Sequence, residues 1–323
     1  MFEFKNVYID SFYTIVNKKE ANGNIKNPNK IINDYYYGEK TPFKCEIKMI
    51  NEVLNNLPSS DLVISSTLEN QLATSNISMK NKNIPYLGIY SACASFSSGM
   101  TILSNFIDSK IINNGLLLIS SHNLNAEKQF RFPIEYGAPK IKRSTKTATC
   151  AIGIHLTNKK TNIKVLNGTF GKVIDSYITD TYNMGAVMAP SAYDTLINHL
   201  KLTNTTIKDY DLIITGDLGN VGSNIFKELC IKNGYKLKNY IDAGSILYND
   251  KDISGASGPA CLPLVYFYNL INNKKYKKVL LLSTGSLHSP EMVNQKETIP
   301  SITNAITIEV QKWQFFILSY FVD

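Results

Sequence analysis

The sequence predicts an α/β protein built twice on a mainly parallel sheet, and three observations predict it. Continuous apolar runs at residues 61–66, 115–121, 210–217 and 278–285 read as strands buried on both faces. Stretches of helical periodicity alternate with them, so helices cover the sheet on either side. The order of elements also repeats. Each half reads helix, buried strand, short helix, small-residue turn, long helix, buried strand and closing strands, which implies an internal duplication.

Taken in order, residues 1–60 mix a strand, Asn/Lys-rich loops and a helix over 44–56, with Ile47, Ile50, Val53 and Leu54 on one face. A strand at 61–66 and a short helix at 73–79 follow. Next comes an apolar strand running into Tyr90-Ser91-Ala92-Cys93-Ala94, a turn of small residues with a thiol at its tip, then a helix over 95–108. This arrangement lifts a sulfur out of the backbone and aims it along a helix N-terminus, where the dipole favours thiolate. Many acyl-transfer enzymes hold their nucleophile on such a strand-to-helix turn. The buried alternative is a cysteine acting as a small hydrophobe. The strand at 115–121 and antiparallel strands at 148–157 and 163–169 complete the first round. The second has helices at 192–202 and 223–233, strands at 210–217 and 278–285, and a closing strand at 301–309. In it Gly255-Ala256-Ser257-Gly258 opens a long apolar helix over 259–272.

The chain has 323 residues, 44% hydrophobic, enough for one large core or two fused half-domains. Its net charge is +8, which half-exposed lysines explain and which also suits anionic ligands or an anionic membrane face. Zinc spacings, basic helices and aromatic RNA-binding signatures are missing, so nucleic acid is not expected as a partner. The five cysteines, at 45, 93, 150, 230 and 261, form no CxxC pair and indicate a reduced compartment. Cys45, Cys150, Cys230 and Cys261 read as packing residues. The N-terminus lacks the pattern of a signal peptide, and no run reaches the ~18 apolar residues of a membrane span. Nothing in the sequence calls for a metal or a cofactor.

A duplicated α/β chain with a cysteine on such a turn resembles the thiolase superfamily. The match narrows at Ser120-Ser121-His122, at the run from Ala126 through Arg131 to Gly137, at Asn183-Met184-Gly185-Ala186, and at the stretch from Asp209 to Gly219. With Tyr36-Tyr37-Gly38-Glu39 and Glu297-Thr298-Ile299-Pro300, these motifs resemble the stage V sporulation protein AD family over nearly the whole chain. The resemblance implies a thiolase-like, five-layered α-β-α-β-α fold with two mixed, mainly parallel sheets. The halves would divide as 1–175 and 176–310, leaving an apolar tail at 311–323. It also implies a binder of dipicolinic acid or its calcium chelate, working with other SpoVA subunits in forespore uptake and in release at germination. The protein would lie peripheral to the inner spore membrane. A homodimer through the edge strand of the nucleophile half is the corresponding oligomer.

A working thiolase needs a base for the thiol and donors for the oxyanion. The histidine that thiolases place before the Gly-Ala-Ser-Gly segment is replaced here by Lys251-Asp252-Ile253-Ser254. The late Cys-x-Gly loop reads Ser283-Thr284-Gly285. His155 and His199 fall inside a strand and a helix; only His122 and His288 end strands on the cysteine side. The expectation is therefore a pocket that binds rather than reacts. The alternatives are a condensing enzyme using Cys93 and a structural scaffold.

A flat dicarboxylate calls for bidentate arginine or helix N-terminal amides, with apolar walls for the ring. Candidates are Cys93, Ser121, His122, Lys128, Arg131, Asn183, Met184, Asp217, Ser257, Gly258 and His288. The helix starts after Cys93 and at Ser257-Gly258 supply amides, and His122, Lys128 and Arg131 supply charge. Arg131 between Phe130 and Phe132 also fits a loop brace, Asp217 a helix cap, and His288 an ordinary loop histidine. The resemblance places Asn183 and Met184 in a loop that closes over the site. Lys274 to Lys278 read as a solvated loop or a lipid contact. The tail reads as a terminal strand, a membrane contact or an altered frame.

Overall fold

The computed structural model describes residues 1–130, 141–248, 250, 252–273 and 275–311. The first half contains β1 (Tyr8–Asn17), α1 (Pro42–Asn55), β2 (Val63–Ser66), α2 (Ala73–Met79), β3 (Tyr86–Gly88), α3 (Ser95–Asp108), β4 (Asn114–Ser121), α4 (Asn123–Phe130) and β5 (Cys150–Thr157). The second contains β6 (Ile163–Thr169), α5 (Met184–Leu202), β7 (Leu212–Thr215), α6 (Gly219–Lys232), β8 (Tyr240–Asp242), α7 (Ala243–Leu247), α8 (Cys261–Val265), β9 (Lys278–Ser286) and β10 (Pro300–Val310).

Ten strands run in the order β8-β7-β9-β10-β6-β1-β5-β4-β2-β3. These ten form two matching sets of five, and three short strands, Phe2–Glu3, Lys30–Ile32 and Ile174–Asp175, pair beside β6, β1 and β10 to make thirteen among the described residues. In one, β3, β2, β4 and β1 share a direction and β5 opposes them. In the other, β8, β7, β9 and β6 share a direction and β10 opposes them. The sets meet where β1 pairs with β6, at Tyr8↔Lys164 and Ile9↔Ile163. Thus β6, which falls within 1–175, completes the second set. Strands β5 and β6 do not pair with each other; each runs antiparallel to β1, which lies between them.

The continuous apolar strands divide their side chains between two faces, as the pleat requires. Leu116 and Leu118 of β4 pack outward with Cys45, Met49, Ile50 and Val53 of α1. Leu117 and Ile119 point inward to Phe96, Met100 and Leu103 of α3. Leu280 and Leu282 of β9 likewise face Met188 and Leu196 of α5 and Phe226 of α6, while Leu281 joins the central cluster. Three apolar clusters separated by two sheet halves are the five layers.

The central helix α3 has small residues where the sheets close on it. A Cβ on Gly99 would stand 2.4 Å from Leu117 Cδ1. Ser97 Oγ bonds Ser283 Oγ at 2.7 Å, and Asn304 Nδ2 donates to Ser98 Oγ at 2.8 Å. Both halves therefore hold the same helix.

Helix boundaries follow local chemistry. Thr41 Oγ1 accepts from the Lys44 N–H at 3.2 Å, with Pro42 in the first turn, so α1 starts slightly before the expected 44. Replacing Thr41 by alanine is expected to cost about 1 kcal/mol, read as a lowered urea midpoint with an unchanged slope. Helix α5 begins at Met184 rather than 192. Gly185 and Pro190 resemble breakers in sequence, but Gly185 is where α5 meets α6: a Cβ there would stand 2.2 Å from Leu218 O. The largest departure is at 255–258. Gly255–Ser257 is a short strand pairing in parallel with Thr145–Thr147, and the helix starts only at Cys261. It passes into a wider π turn over Tyr266–Leu270.

Candidate functional site

The turn after β3 is a tight elbow. Ala92 adopts φ +47°, a left-handed conformation rarely taken by alanine. The Ala94 N–H donates to Ser91 O at 2.9 Å and the Ser95 hydroxyl to Ala92 O at 2.7 Å. The Ser91 N–H closes the loop on Ser95 Oγ at 3.0 Å. Cys93 is left half-buried at the tip, while Cys45, Cys150, Cys230 and Cys261 are buried. Burial pushes the Cys45 and Cys230 thiols up to about 12, as expected of packing residues.

Asp217 stands behind the sulfur, at the turn from β7 into α6, hydrogen-bonded to the Cys93 thiol. Its Oδ1 accepts from the Thr284 hydroxyl at 2.7 Å and its Oδ2 from the Gly258 N–H at 3.0 Å. Burial raises this carboxyl from 3.8 to about 7; the hydrogen bonds from Thr284, Gly258 and Cys93 only partly offset it. A second buried carboxyl fixes the turn. Asp242 accepts from Thr215 Oγ1 at 2.7 Å, the Leu218 N–H at 3.0 Å, the Gly219 N–H at 2.9 Å and the Ser245 N–H at 2.8 Å.

Cys93 opens onto a cavity of about 30 Å³, room for a single water-sized group. Leu68, Tyr90, Ala126, Phe130, Met184 and Met188 form apolar walls; Glu127, Thr147, Ser257, Ser286 and His288 add polar groups. His288 ends β9. Its Nδ1 lies 3.1 Å from Ser286 Oγ, its Nε2 lies 3.4 Å from the Phe130 carbonyl oxygen, and its ring leans on Phe130 at 5.3 Å.

Of the residues expected from sequence, the fold gathers Cys93, Met184, Asp217, Ser257 and His288. Gly258 is close, but its N–H serves Asp217, and neither it nor Ser257 starts a helix. Met184 is the first residue of α5, not part of a loop, and reaches the cavity as a wall. Asn183 precedes it, with a buried Oδ1 that has no hydrogen-bond partner among the described residues.

Three expected residues go elsewhere. Ser121 donates to Ala148 O at 2.7 Å. His122 is 1% exposed: Nε2 bonds the Tyr35 carbonyl at 2.8 Å and Nδ1 accepts from the Leu124 N–H at 3.2 Å. Burial lowers its pKa, so it is a neutral brace at the start of α4 rather than a source of charge. Lys128 is exposed and does not line the cavity. Arg131 and the tail residues 312–323 lie outside the described residues, as does Lys274. His155 bonds Asp10 at 2.7 Å and His199 bonds Thr169 and Tyr210, away from the cysteine.

Sequence reasoning missed Tyr90, Glu127, Phe130, Thr147, Met188 and Ser286. For Phe130 and Met188 the signal was helical spacing: Ala126 and Phe130 are one turn apart on α4, as Met184 and Met188 are on α5.

Among solved structures the chain is similar to 3-oxoacyl-[acyl-carrier-protein] synthase III from Aquifex aeolicus VF5, at 15% identity. That match covers 94% of this chain and 99% of that one with a TM-score of 0.57. It is also similar to a variant of Xanthomonas campestris OleA with bound lauric acid and lauroyl-CoA. There the identity is 13% over 94% of this chain and 99% of that one, with a TM-score of 0.61. These likenesses establish a thiolase-like fold. Among curated proteins it is 33% identical over 318 residues to the stage V sporulation protein AD of Bacillus subtilis (strain 168), covering 94% of each chain. The model of that family, Stage V sporulation protein AD, matches residues 1–309. The chain is a sporulation protein with a thiolase-like fold and belongs to the SpoVAD family.

Proposed function

We propose that this protein is a non-catalytic binder of dipicolinic acid or its calcium chelate. It holds the ligand at the Cys93 chamber and supports its uptake into the forespore and its release in germination. It acts as a peripheral subunit of the SpoVA complex at the inner spore membrane.

One observation carries the non-catalytic reading. Donors that an acyl-transfer enzyme would aim at a developing oxyanion are already engaged within the protein. The Gly258 N–H is tied to Asp217, and both His288 nitrogens face Ser286 and Phe130. The walls support a flat aromatic ligand: Tyr90 and Phe130 are rings, and Met184 and Met188 are flexible enough to open the small cavity. Hydroxyls of Thr147, Ser257 and Ser286, together with His288, supply carboxylate partners, and Arg131 follows Phe130 directly in the chain. Glu127 at the same wall opposes a free dianion and suits a calcium chelate, whose metal takes carboxylate oxygen. Strand β3 ends the sheet, with Leu87 37% exposed, which supports a homodimer at that edge.

Calorimetric titration with dipicolinate, with and without calcium, tests this reading. Saturable binding that weakens about tenfold in His288→Ala, or about 1.4 kcal/mol, is expected. The absence of any heat at millimolar ligand would sink it.

The Cys93–Asp217 contact favours a second reading. A carboxyl near 7 beside a thiol has the profile of a general base, and Cys93 would then be the nucleophile of a condensing enzyme. Incubation with acyl-CoA followed by intact-mass spectrometry separates the two. An acyl adduct on Cys93 supports the enzyme; an unchanged mass with dipicolinate binding supports the binder. With neither signal but partner capture intact, the protein is a scaffold.

A further inference from the structure

At the opposite end of β7 from Asp217 lies an open groove of about 1110 Å³. Its apolar surface is Ile197 and Leu200 of α5, Ile207, Tyr210 and Tyr235. Its rim carries Lys201, Lys208, Lys236 and Lys238, all exposed; the carboxylate beside it, Asp209, is engaged by the Thr206 N–H at 2.6 Å and hydroxyl at 2.9 Å. Among the described residues none of these four lysines makes an ion pair or a hydrogen bond through its ammonium group. Two more apolar side chains stand exposed close by in the chain: Leu202, 44% exposed, next to Lys201, and Ile231, 65% exposed, in the last turn of α6 before Gly234.

The floor is rigid. Tyr210 is 3% exposed and its hydroxyl bonds His199 Nε2 at 3.2 Å and Thr205 Oγ1 at 3.1 Å. His199 in turn bonds Thr169 Oγ1 at 2.8 Å. Burial lowers His199 to about 4, so this support stays neutral at physiological pH and adds no charge of its own.

We propose that this groove docks an acidic, amphipathic segment of a partner protein. An apolar floor between unpaired lysines asks for a ligand with apolar side chains on one face and carboxylates on the flanks, the pattern of helix-in-groove recognition. A flat bilayer surface cannot reach the floor of a concave groove, whereas a helix can. The lysines steer the acidic segment and set its specificity, and the floor buries its apolar row. The site is remote from Cys93, so a docked partner leaves the chamber free.

The probe is a fluorescein-labelled synthetic peptide of about 18 residues, five helical turns, with leucines on one face and glutamates on the other. Anisotropy should show saturable binding that weakens with added salt and weakens about tenfold or more in K236E/K238E. Ile207→Ser, which keeps the charge, should also weaken it. A peptide with lysine in place of every glutamate should not bind. Equal binding to wild type and K236E/K238E overturns the proposal. So does competition by millimolar inorganic phosphate at constant ionic strength, or co-sedimentation with phosphatidylglycerol vesicles while the peptide fails to bind.

Discussion

An Asp217→Asn protein is expected to lose stability less steeply than wild type as pH rises from about 4 to about 7. The Asp217 carboxyl sits at about 7 in the folded state against 3.8 ordinarily, because burial disfavours its charge. The folded protein therefore holds this proton more tightly than the unfolded chain. The contribution is fully present below about pH 4, declines as pH rises towards 7 and is gone above that. A change from 3.8 to about 7 corresponds to about 4 kcal/mol. Glu20, Glu69 and Asp242 are also raised by burial, Glu69 to about 7, and slope the same way, so wild type and variant must be compared point by point. Asparagine binds no proton and cannot contribute this slope. Urea unfolding at pH 4, 5, 6, 7 and 8 reads it; parallel curves for the two proteins would refute the assignment.

Gly285→Ala is expected to displace the cysteine elbow. Gly285 lies in β9 against the turn, and an added Cβ would stand 2.7 Å from Ser91 O and 2.8 Å from Ala94 N. Both are backbone atoms of the loop that carries Cys93, so no side chain can swing away. Overpacking of this kind costs about 1–3 kcal/mol, and the strain falls on the elbow itself. Alkylation of Cys93 by iodoacetamide, followed by mass spectrometry, should change rate several-fold, and dipicolinate binding should fall with it. Gly234→Ala is the control. Its φ is +83° but nothing lies within 4 Å, so it should cost about 1 kcal/mol and leave Cys93 unchanged. Wild-type stability and alkylation in Gly285→Ala would show that the elbow tolerates the methyl group.

The contrast between these two residues shows what a sequence can and cannot carry. The elbow at Cys93 and the strands β4, β7 and β9 were legible because small residues and unbroken apolar runs have few other uses. The start of α5 was not, because Gly185 and Pro190 look like stop signals until α6 supplies the contact that requires a glycine. Gly255-Ala256-Ser257-Gly258 read as a helix start because its partner, Thr145–Thr147, is remote in the chain. His122 looked like a charge beside the site, since only folding reveals that Tyr35 and Leu124 take both its nitrogens. Asp217 carried two readings, cap or pocket wall; its contact with Cys93 is tertiary and leaves no local trace.

The position of β6 has a consequence for dissection of the molecule. A scission between residues 175 and 176 would leave the N-terminal fragment with an orphaned edge strand and the C-terminal fragment with a vacancy beside β10, where Ile306↔Gly168 and Ile308↔Val165 now pair. Each piece would carry what the other lacks, so separately produced fragments should behave as donor and acceptor, reconstituting by strand complementation rather than persisting as autonomous domains.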